Sequence, residues 1–134
     1  MVRWLWSDMG YHVVDTDEVD PDPDRPCTRR SLSELAGLSE MAINRFEADP
    51  GDQLPLAYHY HETQEEAFYV LSGTLHVETP EGDLTVPEGG VFAADPESPH
   101  RAYNPGDAEA AVELLAVGAP PADDDAVAYD PEDP

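Results

Sequence analysis

The sequence predicts an all-β fold: a single small antiparallel β-barrel, or jelly roll, with an N-terminal arm and one short helix. Three observations point to this class. A chain of 134 residues is long enough for one domain with one core. Its 14 Pro and 9 Gly are too many for a helical bundle. Short apolar segments alternate with turn-forming residues from position 41 to 117, as in small antiparallel barrels.

The first 40 residues are expected to form the arm, an acidic loop and the helix. Segment 1–14 carries aromatic residues among polar ones, which indicates a strand or an arm that covers an apolar surface. Segment 15–30 is rich in Pro and Asp and is interpreted as a loop. Ser31 and Glu34 have the spacing of a capping box, which predicts a helix that ends near Gly37.

The barrel is predicted over residues 41–118 and a flexible acidic tail over 119–134. The tail carries six acidic and no basic residues, which favours a frayed, solvated segment. The barrel strands are expected at 41–48, 55–61, 67–71, 74–79, 84–86, 91–93, 100–103 and 111–117.

The net charge of −24 excludes some classes of partner and predicts a dependence on salt. An acidic surface repels phosphate groups, so binding to nucleic acid or to an anionic membrane is not expected. All six basic residues are Arg, and this lysine-free, acidic composition resembles the cytoplasmic proteins of extreme halophiles. A single Cys, Cys27, suits a reducing compartment, and no apolar run is long enough for a signal peptide or a membrane span. A cytoplasmic location is therefore expected.

A cluster of histidines and a carboxylate predicts a metal site. His59 and His61 are two apart, so on a strand they share a face. Glu66, Phe68 and Val70 share a face of the next strand, which places a carboxylate above an apolar floor. A carboxylate in that position needs a cation. Imidazole and carboxylate together favour one divalent transition metal (Fe, Mn, Ni, Zn or Cu) over Ca²⁺ or Mg²⁺.

The spacing of these residues resembles the two motifs of the cupin superfamily. The first motif corresponds to Gly51, His59, His61, Glu66 and Gly73, and the second to Gly82, Pro87, Gly89, His100 and Asn104. The resemblance implies a cupin barrel, and it implies that His100 completes a metal site with His59, His61 and Glu66. Ten residues separate Gly89 from His100 where the strict motif has two.

Several residues compete with these assignments. Glu65 is adjacent to Glu66, so only one of the two carboxylates faces inward, and the spacing to Gly73 favours Glu66. His76 lies on the polar side of an alternating strand, and His12 has no partner at ligand spacing. Both are interpreted as surface histidines.

Substrate contacts are predicted at Phe68, Val70, Arg45 and Asn104. Phe68 and Val70 are expected to floor the pocket, and Asn104 has the same parity as His100. Arg45 holds an anionic substrate if it faces inward and is a surface residue if it does not. Only Arg45 and Arg101 are candidates for binding phosphate at the pocket, which argues against phosphosugar substrates.

The resemblance implies three kinds of role for a small-molecule ligand. They are metal-dependent oxygenation, isomerisation or epimerisation with the metal as a Lewis acid, and non-catalytic binding in a sensor or storage protein. A structural β-domain without a working site is the remaining alternative. The arm around Trp4, Leu5 and Trp6 would be costly to expose, which favours a homodimer in which it covers a neighbouring barrel.

Overall fold

Two five-stranded antiparallel sheets form the body of the molecule, and they pack face to face as a jelly roll. The computed structural model describes residues 4–6, 10–121 and 125–133, with only the backbone at 4–6, 55 and 56. The strands are β1 (Trp4–Trp6), β2 (His12–Val14), β3 (Thr28–Ser31), β4 (Ala42–Ala48), β5 (Gln53–His61), β6 (Glu65–Ser72), β7 (Leu75–Thr79), β8 (Gly82–Val86), β9 (Val91–Ala94), β10 (His100–Tyr103), β11 (Val112–Ala119) and β12 (Ala126–Ala128).

The order of the strands confirms the predicted antiparallel all-β class. One sheet has the order β12-β5-β10-β7-β8 and the other β3-β4-β11-β6-β9. Strands β4 to β11 agree with the eight predicted segments to within two residues at every end. Alternate residues of β11 are buried, as expected for strands with one face in a core.

The core lies between the two sheets and consists of the inward residues of both. Leu54, Leu75 and Val77 come from one sheet, and Val70 and Leu114 from the other, each 2% exposed or less. Their burial removes apolar surface from water at about 25 cal/mol per Å², the main force that holds the sheets together. This packing leaves one end of the interior lined by polar residues, where the candidate site lies.

Two strands outside the predicted barrel segment complete its sheets. Strand β3, within the segment interpreted mostly as loop, pairs with β4, and β12 pairs with β5. The flexible tail is therefore a wrong prediction for residues 126–128. Acidic composition indicated solvation, but backbone pairing to the edge of β5 does not depend on side-chain polarity.

The helix predicted after Ser31 does not form. Residues 33–37 form turns, in which the Ala36 N–H donates to the Leu32 carbonyl and the Gly37 N–H to the Glu34 carbonyl, and Gly37 has a left-handed φ of 73°. The Ser31 hydroxyl donates to Asp22 instead of capping a helix, because Ser31 is the last residue of β3. A three-residue 3-10 helix at Thr16–Glu18 is present instead.

In the N-terminal arm, β1 and β2 pair antiparallel. Its tryptophan side chains lie outside the described part of the structure, so the homodimer stays a prediction. No helix of the described residues is long and apolar enough to cross a membrane.

Candidate metal centre

Histidines from one sheet and a glutamate from the other converge in the interior. His59 and His61 lie on the inner face of β5, and His100 opens β10, directly paired with His59. Glu66 lies on β6 of the opposite sheet, on the same face as the buried Phe68. The alternation of strand residues, and the pairing of β5 with β10, therefore bring distant positions of the chain to one place.

The ligand atoms of three of these residues form a compact cluster. Those of His59, Glu66 and His100 lie within 4.8 Å of one another. Glu66 Oε1 is 3.0 Å from His100 Nε2 and 3.2 Å from His61 Nε2, so His61 borders the same carboxylate. The structure thus shows a candidate metal site of His59, Glu66 and His100, with the imidazole of His61 beside it.

Each imidazole is held by its Nδ1 atom. His59 Nδ1 is 2.7 Å from the Ala57 carbonyl, and His100 Nδ1 is 2.9 Å from the Ser98 carbonyl. Because a carbonyl oxygen only accepts, both Nδ1 atoms carry the proton, and in the neutral ring the Nε2 lone pair is free for a cation. His61 Nδ1 is 2.7 Å from Asp125 Oδ1, a carboxylate oxygen that accepts from it. In its neutral form, the ring of His61 therefore also has its Nε2 lone pair free for a cation.

Two buried atoms of the cluster need a cation. Glu66 Oε1 and His100 Nε2 are inaccessible to solvent and form no hydrogen bond within the described residues, although they are 3.0 Å apart. A carboxylate oxygen and a neutral imidazole lone pair at that distance repel each other unless a proton or a metal ion lies between them. The residues present therefore fit a divalent metal.

The pKa values of the site reflect burial and these contacts. Burial lowers the pKa of His59 below its ordinary value. Burial alone would raise the pKa of Glu66, but the contacts with His100 and His61 outweigh it and lower the pKa to about 2. The contact with Glu66 raises the pKa of His61 to about 9, against the effect of burial, and Asp125 contributes to the same rise. The carboxylate of Glu66 is thus ionised at neutral pH.

Asp125 is a residue of this site that the sequence analysis missed. It accepts hydrogen bonds from His61 Nδ1, from the Thr63 N–H and hydroxyl and from the Gln64 N–H. Burial opposes the ionisation of Asp125, but these donors lower its pKa to about 2. A carboxylate that orients a ligand histidine is common in metal sites. Nothing in the acidic tail singled it out, since it is one of three consecutive aspartates.

A cavity of about 340 Å³ adjoins the cluster. Its walls include His59, His61, Glu66, Phe68, Phe46, Asn44, Gln64, Ala116, Arg25 and Arg29. Phe68 thus contacts the cavity, as the sequence analysis expected. The wall is more polar than the apolar floor predicted from Phe68 and Val70.

Three of the predicted pocket residues lie elsewhere. Val70 is fully buried in the core. Asn104 donates from Nδ2 to the Ala48 and Ala110 carbonyls, a contact that ties the start of β11 to β4. Arg45 lies on the outer face of β4, where it binds Thr16, Asp17 and Glu113, because its parity is opposite to that of the inward Phe46.

The competing glutamate lies where the sequence indicated, whereas His12 and His76, interpreted as surface histidines, are both partly buried. Glu65 is exposed and Glu66 faces the interior. His76 is half-buried on β7, with its ring 5.7 Å from that of Tyr103. His76 is outside the histidine cluster and provides a matched control for it.

The positions of the arginines correct the argument against phosphosugar substrates. Arg101 pairs with Glu78 and stacks on Tyr103, and like Arg45 it does not line the cavity. Arg25 and Arg29 do line it. The expectation that phosphorylated substrates are disfavoured, which assumed Arg45 and Arg101 as the candidates, therefore loses its basis.

Fold and site together define a jelly-roll barrel with a histidine and carboxylate cluster in its interior. Residues 44–118 match the family model of the cupin domain, so the chain belongs to the cupin family. This confirms the resemblance carried by the two motifs. No match was found among curated proteins.

Solved structures share this fold. A sugar phosphate isomerase of the cupin superfamily from Silicibacter pomeroyi is 25% identical with a TM-score of 0.63, and the match covers 70% of this chain and 59% of that one. A polyketide cyclase from Streptomyces resistomycificus is 22% identical with a TM-score of 0.67, over 81% of this chain and 78% of that one. A predicted oxalate decarboxylase from Thermotoga maritima is 22% identical with a TM-score of 0.69, over 81% and 99%. This chain spans about three fifths of the isomerase, and the variety of these activities shows that the fold does not specify the reaction.

Proposed function

We propose that the chain is a metal-dependent enzyme that acts on a small polar molecule. It binds one divalent transition metal through His59, His61, Glu66 and His100. The observation that carries this proposal is the pair of buried acceptors, Glu66 Oε1 and His100 Nε2, that face each other at 3.0 Å without a hydrogen bond. In a protein that binds no cation, two such desolvated acceptors would lower the stability of the fold.

The ligand set indicates the chemistry. Three imidazoles and one carboxylate favour Zn, Mn, Fe, Ni or Cu. A metal ion held by these four residues would supply Lewis-acid polarisation of a substrate oxygen. The residues of the chain then orient the substrate: Phe46 and Phe68 provide an apolar wall, and Asn44 and Gln64 lie on the polar side of the cavity.

An isomerase-like reaction fits the cavity better than oxygenation of an apolar compound. The lining includes the amides and guanidinium groups of Asn44, Gln64, Arg25 and Arg29, which suit a substrate with oxygen substituents. The likeness to a sugar phosphate isomerase, at 25% identity, supports the same direction. A dioxygenase-like reaction is the alternative within this proposal, and a protein that binds its ligand without catalysis is the alternative outside it.

Metal analysis tests the proposal directly. The protein is purified without a tag or chelator in molar KCl, and its metal content is measured by plasma mass spectrometry. We expect about one equivalent of transition metal per chain in the native protein and in the His76→Ala control. His59→Ala and His100→Ala should lose most of it. A native protein that is metal-free, and that takes up neither Zn²⁺ nor Mn²⁺ on titration, contradicts the proposal.

Exchange of the metal then separates the alternatives. Turnover by an isomerase-like enzyme survives replacement of Fe²⁺ by Zn²⁺ or Mn²⁺, because only polarisation is needed. Oxygenation requires a redox-active metal and is lost with Zn²⁺. Ligand binding without turnover under every metal identifies the non-catalytic alternative.

A further inference from the structure

Two of the six arginines of this acidic chain lie at the same cavity. Arg25 and Arg29 line the wall that also includes His59, His61 and Glu66. Across a chain with a net charge of −24, such a concentration of positive charge is unexpected on composition alone. The surroundings of each arginine show whether the charge is neutralised locally.

Arg29 is directed to the cavity by the register of β3. It is paired with Phe46 of β4, and directly opposed residues of antiparallel strands share a face. Phe46 is buried and lines the cavity, so Arg29 lies on the cavity side too. The next residue, Arg30, lies opposite Arg45 on the outer face and donates to the Val19 carbonyl.

One carboxylate holds Arg29 in place. Its Nε donates to Asp22 Oδ2 at 2.7 Å, and the Ser31 hydroxyl donates to the same oxygen. Burial opposes the ionisation of Asp22, but the Ser31 and Arg29 contacts lower its pKa below the ordinary value. This contact uses Nε alone, so within the described residues the Nη groups of Arg29 have no hydrogen-bond partner.

Arg25 adds a second positive charge at the cavity. It is exposed, and it forms no ion pair in the part of the chain that the structure describes. Its charge, together with that of Arg29, stabilises ionised Asp22. Asp22 thus pairs with Arg29, and the guanidinium group of Arg25 has no ion-pair partner at this cavity among the described residues.

We propose that Arg25 and Arg29 bind the oxyanion group, a carboxylate or a phosphate, of a small-molecule substrate. The rest of the substrate extends to the histidine cluster of the same cavity. Guanidinium groups suit this role because their planar N–H donors match the oxygens of either anion. This inference rests on the proposed function and adds the class of substrate to it.

Titration with simple anions tests this site without knowledge of the substrate. The arginine Nε–H signals of the full chain are followed by NMR, in metal-free and Zn²⁺-loaded samples, at constant ionic strength. The probes are inorganic phosphate and succinate, with chloride as the control anion. We expect saturable shifts of the Arg25 and Arg29 signals with phosphate, succinate or both, while those of Arg30, Arg45 and Arg101 stay unchanged. If phosphate saturates the shifts at a lower concentration than succinate, the substrate is a phosphate ester. If succinate saturates them at the lower concentration, the substrate is a carboxylic acid.

Variants complete the test. Arg29→Gln and Arg25→Gln should each weaken the apparent anion affinity at least fivefold, and Arg45→Gln should leave it unchanged. Arg29→Gln also breaks the contact with Asp22, so this variant can misfold. Arg25→Gln keeps the test valid in that case, because Arg25 is exposed. The inference is overturned if neither anion shifts the two signals, or if all arginines shift alike, which indicates screening only.

The two proposals fail separately in this design. Anion binding in a protein that takes up no Zn²⁺ leaves the anion site standing and removes the metalloenzyme. Zn²⁺ uptake without anion binding removes the anion site alone.

Discussion

The carboxylate of Asp125 accepts a hydrogen bond from Nδ1 of His61 at 2.7 Å, across 64 positions of the sequence. The contact depends on β12, which places Asp125 beside the end of β5 by pairing Ala126 with His61. Asp125, a residue of the acidic tail, therefore orients a histidine of the candidate metal centre. The same carboxylate also caps the turn after β5, since it accepts hydrogen bonds from the Thr63 and Gln64 N–H groups.

Replacement of Asp125 should weaken metal binding more than it weakens the fold. In Asp125→Asn the amide accepts poorly and no longer favours the Nδ1–H form of His61, so we expect a 10–100-fold loss of metal affinity. Competition with a chromogenic chelator measures it. Asp130→Asn is the control, because Asp130 lies in the same tail and accepts from the Glu132 N–H instead. Equal affinities of the two variants would remove Asp125 from the metal centre.

Gly73 should tolerate no side chain. Its φ is +78°, and a Cβ there would lie 2.5 Å from the Ala111 carbonyl oxygen, which belongs to the backbone and cannot move aside. Gly89 has a similar φ of +82° but has open space around its Cβ position. Both alanine variants carry the left-handed strain of about 1–2 kcal/mol.

Comparison of the two variants separates the cost of the left-handed backbone from the cost of the steric clash. Gly73→Ala should lower the free energy of unfolding by about 1–3 kcal/mol more than Gly89→Ala does, which is roughly the cost of overpacking. Urea denaturation at fixed salt measures the difference. Equal stabilities would show that the contact with Ala111 relaxes freely.

The thiol of Cys27 should react slowly in the folded protein. Burial raises its pKa to about 11, and the charge of Asp52 adds to the rise. At pH 8 the thiolate is then about 100-fold rarer than in the unfolded chain, so a thiol reagent should react more slowly by about that factor. The rate in denaturant is the reference, and a folded rate equal to it contradicts the raised pKa.

The same pKa gives a dependence of stability on pH. The folded state favours the neutral thiol. The contribution of Cys27 to the free energy of unfolding is therefore complete below the ordinary pKa of 9.0 and is lost as the pH rises through about 11. Cys27→Ser should flatten the fall in thermal stability over that interval. An unchanged profile would assign the fall to other groups.

The net charge of −24 predicts that the fold needs salt. At molar ionic strength the Debye length is about 3 Å and repulsion between surface carboxylates is screened. Circular dichroism should show the strand spectrum in molar KCl and its loss after dialysis into a few millimolar buffer. An unchanged spectrum at low salt, in a protein that remains free of added cations, contradicts the prediction.

The sequence by itself determined the class of fold and most of the candidate metal centre. Alternation of apolar and polar residues is a local signal, so it located β4 to β11 and put His59, His61 and Glu66 on inward faces. The spacing of the motifs added His100, whose position relative to β5 is set by the pairing of β10.

Only the tertiary structure decided which arginine faces the cavity and what the tail does. Arg45 lies on the outer face because its neighbour Phe46 faces the core, and Arg29 lies on the inner face because the register of β3 pairs it with Phe46. A shift of β3 by one residue would place Arg30 on the inner face instead. Asp125 reaches His61 because β12 pairs with the edge of β5. Backbone hydrogen bonds between strands are nearly independent of side-chain identity, so the pattern of residues in either segment carries little information about its partner strand.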